Sequence, residues 1–263
     1  MNLLLDIGNS RIKWALQRDE GLEVKEPLLR NDKAFKDIAR PAWKDLESPV
    51  RVIISSVAGE TFDKSIRTWI KRRWKMYPDF LRSESDCCGV SNAYQEPEYL
   101  GSDRWAALIA THSLYHSPAI IIDCGTALTI DAIDAEGQHK GGLIIPGLDM
   151  MVNALKTGAA DLSSDVNTVD EISLLARDTV SAIKAGTLYT MAAAIDTICQ
   201  DLSYEMGDQT VAVLTGGDIQ RVLPLLACEP KIHDDLVLQG IAIFADQTKS
   251  VDTADSDVSA TTV

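Results

Sequence analysis

The sequence is poor in the residues that build reactive or metal-holding sites. Its five cysteines, Cys87, Cys88, Cys124, Cys199 and Cys228, form no C-x-x-C pair and are odd in number. That argues against a disulfide framework or a zinc ribbon and fits a reducing cytoplasm. Four histidines, His112, His116, His139 and His233, offer no two residues on a metal-binding face with an acid. Basic residues are outnumbered, 25 Lys and Arg against 39 Asp and Glu, leaving a net charge of −14. A chain so acidic does not suit a sequence-independent nucleic-acid binder or an anionic membrane surface. No run reaches the roughly 18 apolar residues that a bilayer demands. Met1 to Leu5 meets Asp6 after three apolar residues with no basic start, so no signal peptide is expected. The expectation is a cytoplasmic protein without nucleic-acid or membrane partners. A small phosphorylated ligand stays open, because it needs only a few local donors.

What is present is a globular composition, 46% hydrophobic and 24% charged over 263 residues, enough for one large domain or two small ones. Leu3-Leu4-Leu5 and Ile12 to Leu16 read as strands around a turn at Gly8-Asn9-Ser10. A helix is expected within about 32–47, a buried strand at Val52-Ile53-Ile54, and a helix from Phe62 to Trp74 with Ile66, Trp69 and Ile70 on one face. Residues 83–100 read as an irregular loop before a helix from Arg104 to Leu114. A second unit starts at Ala119. It has strands at Ile120–Ile122, Leu128–Ile133 and up to Ile145, and a helical stripe on Leu148, Met151, Val152 and Leu155. A long helical region follows over about 170–203, then a strand at Val211–Leu214, a helix opened by Asp218 and a closing helix from Leu236 to Phe244. From Asp246 the composition predicts a disordered tail.

The most informative feature is a duplication. Leu5-Asp6-Ile7-Gly8-Asn9 is mirrored 117 residues later by Ile122-Asp123-Cys124-Gly125-Thr126. Each copy is an apolar strand, Asp, a spacer, Gly, a small polar residue and a second strand. Glycine lets backbone N–H groups approach an anion closely, and Asn9, Ser10 and Thr126 add side-chain donors. The same residues suit two tight hairpin turns chosen for turn chemistry alone; the pairing favours the phosphate reading. Two such strand–turn–strand units are the ground plan of the actin-like ATPase and sugar-kinase superfamily.

The second signal is Asn92 to Trp105, where a loop meets a helix start at Gly101-Ser102-Asp103-Arg104. A helix N-terminus offers unpaired N–H groups and a positive dipole end. Asp103 could accept a hydrogen bond from a substrate hydroxyl, and Arg104 could pair with a carboxylate or phosphate. The plainer alternative is a cap at Ser102 or Asp103 with a solvated Arg104. His112 and His116, four residues apart near a helix end, could pair on a metal, but read instead as solvent-facing polar groups or complements to the helix C-terminal dipole. Lys71-Arg72-Arg73 is read as a solvated helix face, and Cys124 as core.

Together these motifs resemble the type III pantothenate kinases. The matching pieces are Asp6 to Lys13, Tyr94 through Pro97 to Trp105, Asp123 to Ala127, Gly141 to Gly147, Thr179 to Gly186 and Thr215-Gly216-Gly217-Asp218, in that order. The resemblance implies an α/β class, a duplicated actin-like ATPase (ribonuclease H-like) fold with two mixed β-sheet halves flanked by helices and a cleft between them. Residues 1–116 would form the first half, 117–245 the second, and 246–263 an acidic tail. It implies transfer of phosphate from ATP to pantothenate, the first step toward coenzyme A. By match, Asp6, Ile7, Gly8, Asn9, Ser10, Arg11, Ile12 and Lys13 form the first ATP loop, with Thr126, Gly216 and Gly217 as further ATP contacts. Tyr94, Gly101, Ser102, Asp103, Arg104 and Thr179 match the pantothenate pocket, Asp103 being the catalytic base and Thr179 reaching in from the partner of a homodimer. Asp123 matches the ligand of a monovalent cation, K+ or NH4+, and Mg2+ accompanies ATP. A different class, a nucleotide-binding regulator of transcription without turnover, is disfavoured by the three aspartates Asp6, Asp103 and Asp123.

Overall fold

The computed structural model describes residues 1–31, 33–158 and 172–248. The predicted tail falls outside them from residue 249 onward, as does the start of the expected 170–203 helix. In chain order the elements are β1 (Asn2–Ile7), β2 (Arg11–Arg18), β3 (Gly21–Leu29), α1 (Phe35–Ala42), β4 (Arg51–Ser56), α2 (Glu60–Trp74), β5 (Asp79–Phe80), β6 (Asp86–Cys87), β7 (Val90–Ser91) and α3 (Ser102–Tyr115). Then follow β8 (Ala119–Cys124), β9 (Ala127–Ile133), β10 (His139–Pro146), α4 (Leu148–Gly158), α5 (Thr179–Met206), β11 (Val211–Thr215), α6 (Ile219–Val222), β12 (Lys231–Ile232) and α7 (Leu236–Gln247). They form two compact units. The first holds Met1–Cys88, Gln95–Ala110 and the described residues from Val237; the second holds Gly89–Tyr94 and Thr111–Leu236.

The first unit is built on a five-stranded sheet ordered β3-β2-β1-β4-β5. β1 runs antiparallel to β2 and parallel to β4, so it is hydrogen-bonded on both edges. Leu3, Leu4 and Leu5 are all fully buried there, as an uninterrupted apolar run at the sheet centre requires. Leu3, Leu5, Val52 and Ile54 pack with α1 and α2 in one cluster. Ile66, Ile70 and Trp74 of α2 recur at helical spacing and bury together. Trp43 is fully buried and meets Phe35, Trp14 and Trp69 at ring centroid distances of 5.7, 5.8 and 5.6 Å. α7, from the far end of the chain, completes this unit. Its Gly240 lies so close to the Ala106 backbone that a Cβ would overlap it. Arg51, at the start of β4, donates to the carbonyls of Ala245 and Thr248, each at 2.8 Å, and pairs with Asp79 at 2.9 Å.

The second unit repeats the plan with the order β10-β9-β8-β11-β12. β8 is antiparallel to β9 and parallel to β11. Its core gathers Ile120, Ile122, Leu128 and Ile130 with Leu188, Met191, Ile195 and Cys199 of α5.

Several expected elements differ in extent. α1 is shorter than the expected 32–47, and Pro41 lies in its last turn. β3 had no counterpart in the sequence reading; it is an edge strand carrying Pro27, with Val24 and Leu29 exposed, so it lacks a buried face to reveal it. The long helix starts at Thr179, where the Asp178 carboxylate accepts from the Ser181 N–H at 2.9 Å. α6 is a single turn, and Pro224 follows it in a 3-10 turn.

Candidate active site

In the first unit, the β1–β2 turn is closed by the Gly8 N–H donating to the Arg11 carbonyl at 3.1 Å. Arg30 braces it from β3's end. Its guanidinium donates to the Gly8 carbonyl at 2.6 Å and its backbone N–H to the Ser10 carbonyl at 3.0 Å. Asn9, Ser10 and Arg11 are exposed, whereas the Ile7 and Ile12 side chains are fully buried. Of the eight residues matched to the first ATP loop, those two can therefore meet a ligand only through their backbone. Asp6 stands opposite Lys13 in the antiparallel register and opposite Ser55 in the parallel one.

Ser55 links this strand to the helix start. Ser102 Oγ lies 2.9 Å from Ser55 Oγ and accepts from the Ser56 N–H at 3.0 Å. Ser56 Oγ in turn donates to the buried Asp63 carboxyl at 2.5 Å. These bonds fix the first turn of α3 to the end of β4. Gly101 accepts the first intrahelical bond, from the Trp105 N–H at 2.9 Å. A Cβ on Gly101 would come within 2.6 Å of Asp103 Oδ1, so the aspartate's rotamer depends on glycine there. Asp103 Oδ1 accepts from the Arg104 N–H at 2.8 Å and is only partly buried. Arg104 is 6% exposed, which removes the reading of it as a solvated cation. A buried guanidinium has to be paired.

In the second unit the turn at Gly125-Thr126 is closed by the Gly125 N–H donating to the Ala127 carbonyl at 3.1 Å. Asp123, next to last in β8, stands beside Thr215 of β11. The next segment folds over it: the Asp218 N–H donates to the Cys124 carbonyl at 2.9 Å. Gly216 has φ +111°, and a Cβ there would overlap the Cys124 carbonyl and come within 2.6 Å of Asp123 Oδ1. Gly147 is pressed against the turn in the same way: a Cβ there would overlap the Thr126 carbonyl and come within 2.7 Å of the Gly125 carbonyl oxygen. Asp123, Thr126 and Gly216, three of the matched residues, thus share one corner. Arg221 holds it by bonding Asp218 at 3.0 Å and Asp149 at 3.1 Å. Burial, reinforced by the Asp123 and Asp218 charges, pushes the Cys124 thiol up to about 12. That agrees with its reading as core.

Tyr94 lies in the second unit, its ring stacked on His139 at 6.0 Å. Thr179 is exposed at the N-terminus of α5. Among the described residues no three of His, Cys, Asp and Glu cluster as a metal site, and no helix is long and apolar enough to cross a membrane. The sequence reading missed the braces Arg30, Ser55, Ser56, Asp63 and Arg221. None belongs to a motif, and their partners lie 3 to 72 residues away.

The same topology occurs in solved structures. Component A of (R)-2-hydroxyglutaryl-CoA dehydratase from Acidaminococcus fermentans superimposes with a TM-score of 0.54 at 13% identity, over 93% of this chain and 95% of that one. A Campylobacter jejuni protein named for the Baf family of transcriptional activators gives 0.57 at 20%, over 93% and 97%. At such identities the likeness is one of fold: two related mixed sheets flanked by helices, the duplicated actin-like (ribonuclease H-like) architecture. Sequence narrows it further. The family model for type III pantothenate kinase matches residues 2–201. The type III pantothenate kinase of Nitrosococcus oceani is 41% identical over 257 residues, 95% of this chain and 96% of the relative. That of Nitrosospira multiformis is 34% identical over 246 residues, 94% and 91%. The chain belongs to the type III pantothenate kinase family.

Proposed function

We propose that this protein transfers the terminal phosphoryl group of ATP to the 4′-hydroxyl of pantothenate, opening the route to coenzyme A. The observation that carries the reading is the family match over residues 2–201, which includes Asp103 at a helix start tied down by Ser55, Ser56 and Ser102. Phosphoryl transfer is mainly positioning and charge stabilisation. Asp103 orients the attacking hydroxyl and accepts its proton. Tyr94, Gly101, Ser102 and Arg104 hold pantothenate, Arg104 as a cation for its carboxylate. Asp6 to Lys13 take up phosphate oxygens, Lys13 adds positive charge, and Thr126, Gly216 and Gly217 contact ATP.

The corner around Asp123 fits a monovalent cation: it presents a carboxyl oxygen beside two glycines, and the Gly216 Cβ that would crowd that oxygen is missing. A carboxyl oxygen suits a hard cation rather than a soft metal, and K+ or NH4+ is assigned on the resemblance to the family. When bound, that cation and Mg2+ would supply positive charge for the triphosphate. Thr179, exposed on α5, is assigned to the pantothenate pocket of a partner subunit in a homodimer. Along the sequence the two halves are assigned to residues 1–116 and 117–245, with α7 and the Gly89–Tyr94 segment each packing in the other half's compact unit, and the protein to the cytoplasm.

A coupled ADP-release assay tests the reading. We expect ADP only when ATP and pantothenate are both present, and less of it when K+ is replaced by Na+. ADP release indifferent to pantothenate would overturn the substrate. Activity unchanged in Na+ would remove the role given to Asp123.

A further inference from the structure

His139 is the one buried histidine, and none of the motifs uses it. Its side chain is fully enclosed, and its Nε2 lies 3.0 Å from Oδ1 of Asp131, a residue 2% exposed. Its Nδ1 accepts a long hydrogen bond, 3.4 Å, from the Ala93 N–H. A nitrogen that accepts carries no proton, so the neutral ring holds its hydrogen on Nε2 and donates it to Asp131. The ring face stacks on Tyr94, with an interplanar angle of 18°. One imidazole therefore grips the 91–94 segment by its backbone and by its aromatic side chain, while the carboxyl behind it fixes the ring.

Local structure aims the histidine there. The β9–β10 hairpin turns on Asp134, whose carboxyl accepts from the Gln138 N–H at 2.7 Å and the Glu136 N–H at 3.1 Å. β10 then slips register between His139 and Gly141, and Gly141 takes φ +109°. Such a bulge redirects the side chain beside it. The neighbouring segment follows the hairpin: the Ser91 N–H donates to the Gly137 carbonyl at 2.9 Å, and Ser91 bridges Gln138. The Tyr94 N–H closes the segment onto Asn92 Oδ1 at 3.0 Å.

We infer that His139, held by Asp131, is a positioning residue that sets the Tyr94 segment for pantothenate. This rests on the proposed role of Tyr94 and goes beyond it by naming what orients that residue. Burying a paired imidazole and carboxyl costs desolvation that an apolar pair would avoid. Here it yields an oriented ring that stacks and accepts at once, which Leu or Phe cannot do.

Two readouts on the full-length protein separate this inference from the role of Tyr94. In hydrogen exchange, His139→Ala and Asp131→Ala should speed exchange in the peptide carrying Ala93 and Tyr94 by roughly five- to tenfold. Asp131→Asn, whose amide oxygen can still accept from Nε2–H, should stay close to wild type. In kinetics, His139→Ala should raise the pantothenate KM on the order of 10- to 100-fold with the ATP KM unchanged. In a Tyr94→Ala background the same substitution should add little, because both act through one contact. Unchanged exchange, or equal rises in both KM values, overturns the positioning role. If Tyr94→Ala alone leaves the pantothenate KM intact while exchange responds as expected, His139 still orients the segment. The substrate assignment of Tyr94, and with it the link to pantothenate, then falls.

Discussion

The two units run the same course of strands, with β3-β2-β1-β4-β5 in one and β10-β9-β8-β11-β12 in the other, yet fill the space beside the sheet differently. The first packs an edge-to-face aromatic cluster of Phe35, Trp43, Phe62, Trp69 and Trp74. The second packs Leu188, Met191, Ile195 and Cys199 of α5 against Ile120, Ile122 and Ile130. Strand order and the polar corners are common to both, and the filling is not. Topology here depends on hydrophobic pattern and paired turns, while the identity of the core residues is free to drift. The turns differ as well. The first is braced by a cation from the edge of its sheet, Arg30. The second is roofed by two glycines, Gly147 and Gly216, from elsewhere in the chain.

Four experiments would break or sharpen this contrast. The largest effect belongs to the first unit's helix start: Asp103→Asn should lower kcat by about 10²–10⁴-fold with ATP affinity retained, read by steady-state kinetics beside nucleotide titration. Near-normal turnover would remove the carboxylate from the mechanism. Next come the cores. Trp43→Ala should cost about 3–5 kcal/mol and Met191→Ala about 2–5 kcal/mol, measured by urea unfolding. The flexible thioether site should sit at the lower end, because it recollapses more readily than an aromatic cluster. A larger loss at Met191 would contradict that ordering. Third, Gly216→Ala should cost about 1–3 kcal/mol for a side chain at φ +111°, with the clash against Cys124 added. Gly59→Ala has φ +90° but open space and should show the backbone cost alone. Equal melting shifts would mean the roof over the second turn is not tight. Last, Cys124, pushed up to about 12, should resist iodoacetamide at pH 8, where an ordinary thiol is partly thiolate. The thiolate fraction rises only as pH climbs toward the raised value. Rapid labelling of that residue in the native protein, followed by mass spectrometry, would show the corner to be open.

Much of this architecture could be read from the residues. The paired Asp-x-Gly turns predicted two related sheets, and the apolar runs at Leu3–Leu5 and Ile120–Ile122 located their central strands. The Gly101–Arg104 start of α3 was visible because capping chemistry is local. What escaped was either marginal or distant. β3 has no buried residue and carries a proline, so neither burial nor propensity marks it. Ser55 and Ser56 look like the end of a strand until folding brings Ser102, 47 residues on, against them. Arg104 looked as suited to solvent as to a ligand, because burial of a cation depends on tertiary neighbours. His139 carried one local hint, its place just before Gly141-Gly142, but Asp131 and Tyr94 become its partners only through the bulge and the docked segment.

Arg51's hold on Ala245 and Thr248 has a consequence for the order of events at the ribosome. The first sheet is translated early, but its closing helix is made only after the whole of the second unit has emerged. A nascent chain halted before residue 237 would carry a half-finished first module, its Arg51 guanidinium without the Ala245 and Thr248 carbonyls and its Ala106 backbone uncovered. Such a truncated product should be a substrate for chaperones and proteases, even though every residue matched to the phosphate loops and the pantothenate pocket is already present.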